Sequence, residues 1–457
     1  MRRQTFGTQM QGQDADSASP RAACKRLLLA GLAVSALTAC ASGGGHHAPH
    51  AGRNVGVLLP LSGNNARLGQ EMLTATRMAM NTPTAPTLDV HDTAAPGSSA
   101  GAAAQAAIAA GDGLILGPLT TDDTAQAAKV SVPANIPMLA FTSDISVAQP
   151  GVWALGIAPE QQVRRMVLAA HQQGRQHFAA FLPNNRLGQA LGQALQRVCE
   201  ENGLQSPQVM FHDNTQEAVT ASLKTLSAYD SRAASVPPPD PAAATGAAPA
   251  PAAPAQPDAA AVDPTNPDGA APAQPTAQEA ATPAAAATPV AFPPPPFDAL
   301  LLGDTGLQLG QVINALAQAH VDSTQVQIMG PGLWGAFASK LGTLSGAWYA
   351  APDPASRQAF VQQFMARYHH MPTPLADLTY DSAALVKALD QARPAGSPNG
   401  YSVQALTRPD GFGGVDGAFG FLENGRTRRD LAVFQILPGG GSRIVIPPAG
   451  RLRRSAN

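Results

Sequence analysis

The chain has 457 residues, room for two or three domains. Hydrophobic residues make up 44%, as in a globular protein, while charged residues reach only 13%, well under the usual quarter. The formal net charge is −2, which argues against a nucleic-acid binder or a protein drawn to an acidic membrane surface.

Arg21, Lys25 and Arg26 precede an apolar run, Leu27 to Leu37. That run is too short to span a bilayer and fits the core of a signal peptide. It ends in Leu37-Thr38-Ala39-Cys40, which resembles a bacterial lipobox. The resemblance implies cleavage after residue 39 and acylation of the Cys40 thiol. Ala41 in place of Asp after the cysteine implies sorting to the periplasmic face of the outer membrane. Two or three acyl chains anchor a protein stably where one is marginal. Loss of residues 1–39 removes five bases and two acids, leaving 24 basic and 29 acidic residues and a net charge of −5. Cys24 leaves with that segment and Cys40 carries lipid, so Cys199 is the remaining thiol. It falls on an apolar helix face and reads as an inert core residue.

Residues 40–53 form a Gly/His/Pro tether. His46, His47 and His50 have metal-ligand chemistry, but no acid or second cluster accompanies them, so the expectation is a plain linker. Asn54 to Leu61 is the first predicted strand. Leu68, Met72, Ala75 and Ala79 then share one helix face. Thr87 to His91 is a second strand and Ser99 to Ala110 a second helix. Leu114-Ile115-Leu116 reads as a strand buried on both faces. Gly117-Pro118 ends it, Thr120 or Thr121 can cap the next helix, and Asp122 and Asp123 suit its positive first turn. Ile136 to Ala140 is the fourth strand, followed by Phe141-Thr142-Ser143-Asp144. This βαβαβαβ pattern predicts a doubly wound parallel sheet. Ligands sit beyond the carboxyl ends of such strands. Thr120, Thr121, Thr142, Ser143 and Asp144 are therefore candidates for a ligand cleft, and Thr121 and Ser143 read equally well as helix caps.

A second α/β series begins near residue 153. Pro159 opens a helix, His177 to Leu182 is a strand, and Leu187, Leu191, Leu195 and Val198 line a further helix. Gln208 to Phe211 is a strand and Glu217 to Tyr229 a helix. Residues 232–296 are almost entirely Ala, Pro, Gly, Asp, Gln and Thr, and read as a disordered, partly polyproline insertion. Strands follow at Phe297 to Leu302 and Gln325 to Met329, around a helix carrying Leu309, Ile313 and Leu316. Gly346 to Ala350 is expected to cross back to the first lobe. Helix stripes follow on Phe360, Phe364 and Tyr368, and on Leu378, Ser382, Leu385 and Leu389. The predicted division is lobe 1 over 54–152 with 347–410, and lobe 2 over 153–231 and 297–346 with 411–446.

Val55-Gly56-Val57-Leu58-Leu59-Pro60-Leu61-Ser62-Gly63 is similar to the first strand and loop of type I periplasmic binding proteins of the leucine-binding type. Asp92-Thr93, Leu114 to Leu119, Ile136-Pro137-Met138 and Thr379-Tyr380-Asp381-Ser382-Ala383 resemble that family's later motifs. The resemblance implies two α/β lobes joined by three crossovers, with a cleft between them. In amino-acid-binding relatives the loops after the Gly117 and Leu139 strands hold the ligand's carboxylate and ammonium. It implies that role for Thr120, Thr121, Thr142, Ser143 and Asp144, where relatives usually have Thr in place of Asp144. Gly117-Pro118-Leu119, Ala140 to Asp144 and Pro159-Glu160-Gln161-Gln162-Val163-Arg164-Arg165 resemble a lipidated branch, the penicillin-binding-protein activators. That branch implies a peptidoglycan synthase as partner. The alternative is a solute-binding protein serving an ABC permease, for branched-chain amino acids or related small polar ligands. No Gly-x-Ser-x-Gly elbow, His-Glu-x-x-His pair or phosphate loop occurs, so neither catalysis nor a cofactor or metal is expected.

Overall fold

The computed structural model describes residues 52–236 and 292–452. The signal segment, Cys40, the tether histidines and nearly all of the Ala/Pro insertion lie outside the described residues.

The first sheet holds β1 (Val55–Leu59), β2 (Leu88–Asp92), β3 (Leu114–Leu116), β4 (Met138–Ala140) and β5 (Val152–Ala154). Their order is β2-β1-β3-β4-β5, and every pairing is parallel. Alternate residues serve two cores. Val55, Val57, Leu59, Leu114 and Leu116 pack with α1 (Ala66–Ala79) on one face. Leu58, Ile115 and Met138 pack on the other with α2 (Ala100–Ala109) and α3 (Thr121–Ser131). Two buried faces explain why β1, β3 and β4 are apolar runs, while the half-buried edge strand β2 alternates apolar and polar residues.

The second sheet holds β6 (Phe178–Pro183), β7 (Gln208–His212), β8 (Ala299–Leu302), β9 (Gln327–Gly330) and β10 (Trp348–Ala351) in parallel. α4 (Pro159–Gln172) and α5 (Arg186–Glu201) cover one face. α6 (Gln216–Leu226) and α8 (Gly306–Gln318) cover the other, with α7 (Tyr229–Ala234) beside α6. Cys199 is buried in α5, and burial pushes its thiol up to about 11, so it stays protonated.

Three features differ from the sequence reading. The second sheet is not wholly parallel: β13 (Ala432–Ile436) and β14 (Ser442–Ile446) run antiparallel along its edge, in the order β14-β13-β10-β9-β8-β6-β7. β10 does not cross back. Trp348 and Ala350 enter one core of the second lobe and Tyr349 the other, so this strand lies inside the second sheet. The chain crosses after it, and α9 (Pro354–Tyr368) and α10 (Pro374–Gln391) pack on the first lobe, as does Leu406 of the short α11 (Val403–Leu406). The tail joins lobe 2 later than residue 411. Phe412, Phe419 and Phe421 fill the first lobe's core, and a hairpin of β11 (Phe419–Phe421) and β12 (Thr427–Arg429) precedes β13. At the other boundary, β5 carries Trp153 and Ala154 in the first sheet.

Candidate functional site

The carboxyl ends of β3 and β4 deliver the sequence candidates to one edge. Gly117 turns the chain with φ +103°, and a Cβ there would lie 2.1 Å from the Leu58 carbonyl oxygen, so only glycine fits. The Pro118 carbonyl accepts the Phe141 N–H at 2.8 Å, which locks the two loops together. Thr120 caps α3, accepting the Asp123 N–H at 3.1 Å while its hydroxyl donates to Asp123 Oδ2 at 2.8 Å. Thr121 Oγ1 meets Thr142 Oγ1 at 3.1 Å, and Thr142 Oγ1 also accepts the Asp144 N–H at 3.1 Å. Ser143 is exposed. Asp144 caps the 3-10 turn Ile145–Val147, accepting the Ser146 N–H at 2.9 Å. The five residues thus share one edge, but most of their hydrogen-bonding capacity is used within that edge.

Partial burial works to raise the Asp144 pKa. Hydrogen bonds from Ser146 and Thr121 and the charge of Arg186 outweigh it and hold the carboxyl below its ordinary value. Arg186 opens α5 in the other lobe, so the carboxyl edges of the two sheets face each other. Asp144 therefore presents an anion at this edge.

The second lobe's edge holds a pair that sequence reasoning missed. His212 ends β7 and Asp304 follows β8. His212 Nε2 lies 3.1 Å from Asp304 Oδ2, with both side chains fully enclosed. Nδ1 lies 3.1 Å from the Asp213 carbonyl oxygen, and the ring stacks on Phe181 at 4.3 Å. Burial acts against the charged ring, but the Asp304 hydrogen bond and charge prevail and raise its pKa. With an acceptor at each nitrogen, the imidazolium form satisfies both. Trp334 Nε1 donates to the Asp304 carbonyl at 3.0 Å. The available signal was Gly303-Asp304 and His212-Asp213 directly after predicted strands, where ligand edges form.

The two motif phrases prove architectural. Thr379 donates to the Met72 carbonyl at 3.0 Å, Ser382 donates to the Thr379 carbonyl at 3.0 Å, and Asp381 Oδ1 accepts the Val415 N–H at 2.7 Å. Arg357 forks onto Asp377 at 2.6 and 3.0 Å. Asp416 is buried beside them, and Arg429 reaches the Leu155 carbonyl at 2.9 Å on the first crossover. Burial pushes Asp381 up to about 7 and also raises Asp377 and Asp416, which face each other. The 159–165 phrase clamps the crossovers. Gln161 accepts the Ala158 N–H at 3.3 Å and donates to the Thr427 carbonyl and hydroxyl at 2.8 and 2.6 Å. Glu160 gathers Arg164, Arg197 and Arg426, and Arg165 donates to the Leu431 carbonyl at 2.7 Å.

A family profile described as "Periplasmic binding protein" matches residues 53–441. The chain belongs to the periplasmic binding protein family. Among curated proteins, uncharacterized protein RP748 of Rickettsia prowazekii (strain Madrid E) is 23% identical over 178 residues, covering 38% of this chain and 47% of that protein. The C-domain of LpoA (YraM) from Haemophilus influenzae, described as a regulator of PBP1A, has a TM-score of 0.56 at 15% identity, covering 86% of this chain and 100% of that one. The chain spans only 59% of full-length Haemophilus influenzae LpoA. A Rhodospirillum rubrum protein described as a branched-chain amino acid ABC transporter has a TM-score of 0.59 at 16% identity, covering 86% of this chain and 99% of that one. Likeness at these identities establishes the two-lobed fold. Binding is the property by which the family is described.

Proposed function

We propose that this chain is a periplasmic lipoprotein, anchored to the outer membrane through Cys40, that binds a penicillin-binding protein and raises its peptidoglycan-synthase activity. Asp144 carries the reading. An ionised carboxylate where the amino-acid-binding members receive a carboxylate disfavours an amino-acid ligand by like-charge repulsion. The Thr121–Thr142 bond and the capping role of Thr120 leave that edge with little polar capacity to offer a solute. Contact is then the output. Leu307, 94% exposed, and Leu333, 57% exposed, follow the carboxyl ends of the neighbouring strands β8 and β9 and offer apolar surface to a protein partner. The reading also draws on the likeness to Haemophilus influenzae LpoA, a regulator of PBP1A.

The test uses the acylated mature chain and a purified bifunctional penicillin-binding protein from the same genome. Retention on the immobilised chain and a faster glycan polymerisation rate are expected. In cells, Cys40→Ser should move the chain from the outer-membrane fraction to the soluble one. Absence of binding and of any rate change, with saturable heat on titrating leucine, isoleucine or valine, would replace this reading by solute delivery to an ABC permease.

A further inference from the structure

Toward the amino end of the first sheet, away from the cleft, three side chains converge over a glycine. Asp89 and His91 are two residues apart on the edge strand β2, so both point to one face. Asp112 stands in the Gly111-Asp112-Gly113 turn that leads into β3. Gly56 of β1 lies between them, paired with Asp89, and a Cβ there would fall 3.1 Å from Asp112 Oδ2 and 2.8 Å from Ala107 Cβ. The missing side chain leaves the space in which the three groups meet. One donor atom from each lies within 4.8 Å of the others, and His91 Nε2 is already 2.9 Å from Asp89 Oδ2.

Asp112 is the decisive member. The residue is 1% exposed, and neither carboxylate oxygen has a hydrogen-bond partner. A carboxylate buried without donors is costly unless a cation compensates it. Ala107 of α2, which crowds the same Gly56 position, has an apolar side chain and supplies no donor. Asp89 is the more exposed wall and provides an entry path from solvent.

We infer that Asp89, His91 and Asp112 bind one divalent transition-metal cation of the zinc class. One imidazole and two carboxylates are a zinc-type ligand set, and three protein ligands leave a fourth position for water. Bonds of about 2.1 Å in a tetrahedral shell set the donors about 3.4 Å apart, so His91 Nε2 and Asp89 Oδ2 must open from 2.9 Å while the wider separations, up to 4.8 Å, close; side-chain rotation on an edge strand supplies the adjustment. Gly52 donates to the Gly111 carbonyl at 2.7 Å and Gly113 to the Asn54 carbonyl at 2.9 Å, so the cation would also brace the point where the chain enters the fold.

Zinc alone is the probe, titrated into the detergent-solubilised mature chain carrying His46→Ala, His47→Ala and His50→Ala. One equivalent should bind at micromolar or lower zinc and raise the melting temperature. His91→Gln and, separately, Asp89→Asn should each weaken binding at least about tenfold. Asp112→Asn should abolish it, while melting in chelator at or above the parent temperature because an uncompensated buried charge is gone. Unchanged affinity in both the His91 and Asp89 variants would overturn the site, as would wild-type affinity in Asp112→Asn. Saturation only at millimolar zinc, or binding lost entirely with the tether histidines, would do the same. Should Asp112→Asn fail to fold, the two edge-strand variants decide.

Discussion

Thr121 and Thr142 approach within 3.1 Å through their hydroxyls, so two polar groups from adjacent loops satisfy each other instead of a ligand. Thr142 is buried and also accepts the Asp144 N–H. Thr142→Val keeps the shape and removes both bonds. The expected cost is about 1–3 kcal/mol, because the Asp144 amide loses its acceptor and Thr121 one of its two partners. A thermal melt should fall by several degrees, and no solute should restore it. A melt equal to wild type would mean that water replaces the hydroxyl and that this edge is open to ligands.

Acid in the buried cluster makes stability depend on pH. Asp381 titrates near 7 in the fold against about 4 unfolded, and Asp377 and Asp416 are raised with it. The folded state therefore holds more protons than the unfolded state between about pH 4 and 7, so stability falls as pH rises through that window. Each such group contributes up to about 1.4 kcal/mol per pH unit. His212, also raised, acts in the same direction. Asp144, Asp322 and Asp390 are lowered and act oppositely, but only below about pH 4. Melting temperature should be higher at pH 5 than at pH 8. Asp381→Asn, which keeps an acceptor for the Val415 amide, should flatten the slope. A melting temperature that rises from pH 5 to 8 would contradict the assignment.

The strand–helix alternation was legible because the chemistry is local. Leu114-Ile115-Leu116 needs two apolar covers, and only a sheet between helix layers provides them. A cap at Thr120 or Thr121 was legible for the same reason, and it falls on Thr120. Trp348 to Ala351 misled because a buried strand reads alike in either lobe. Its place depends on β9 and β13, which lie about 20 and 80 residues away in the chain. His212 with Asp304, and Asp112 with Asp89 and His91, come together across strands, so no spacing announces them. The 159–165 phrase was visible as a phrase, but its meaning lies in Thr427, Arg426 and Leu431, over 260 residues on.

Two helix glycines should respond oppositely to alanine. Gly188 packs α5 against the end of β6, and an added Cβ would lie 2.0 Å from the Pro183 carbonyl oxygen. Gly188→Ala must push the helix off the strand, at about 1–3 kcal/mol. Gly310 is exposed in α8 with nothing within 4 Å of a Cβ. Gly310→Ala should stabilise by about 0.5–1 kcal/mol by lowering the entropy cost of helix formation. Paired denaturation curves check the signs, and destabilisation by Gly310→Ala would show that α8 has a contact the packing lacks.

Gln161 should matter more to the crossovers than the charged neighbours beside it. Its amide serves the Ala158 N–H, the Thr427 carbonyl and the Thr427 hydroxyl, while that hydroxyl donates onward to the Ala154 carbonyl at 2.9 Å. This chain of bonds joins the first and third crossovers, so Gln161→Ala leaves partly buried donors and acceptors unpaired in both. The expected loss is about 1–3 kcal/mol, with faster hydrogen exchange at residues 154–158 and 425–431. Arg164→Ala should cost about 0–1 kcal/mol, since its pair with the exposed Glu201 exchanges one hydrated state for another and the more enclosed Glu160 keeps Arg197 and Arg426. Equal losses at the two positions would mean that the partly buried Gln161 amide ties the crossovers no more firmly than an ion pair within the second lobe.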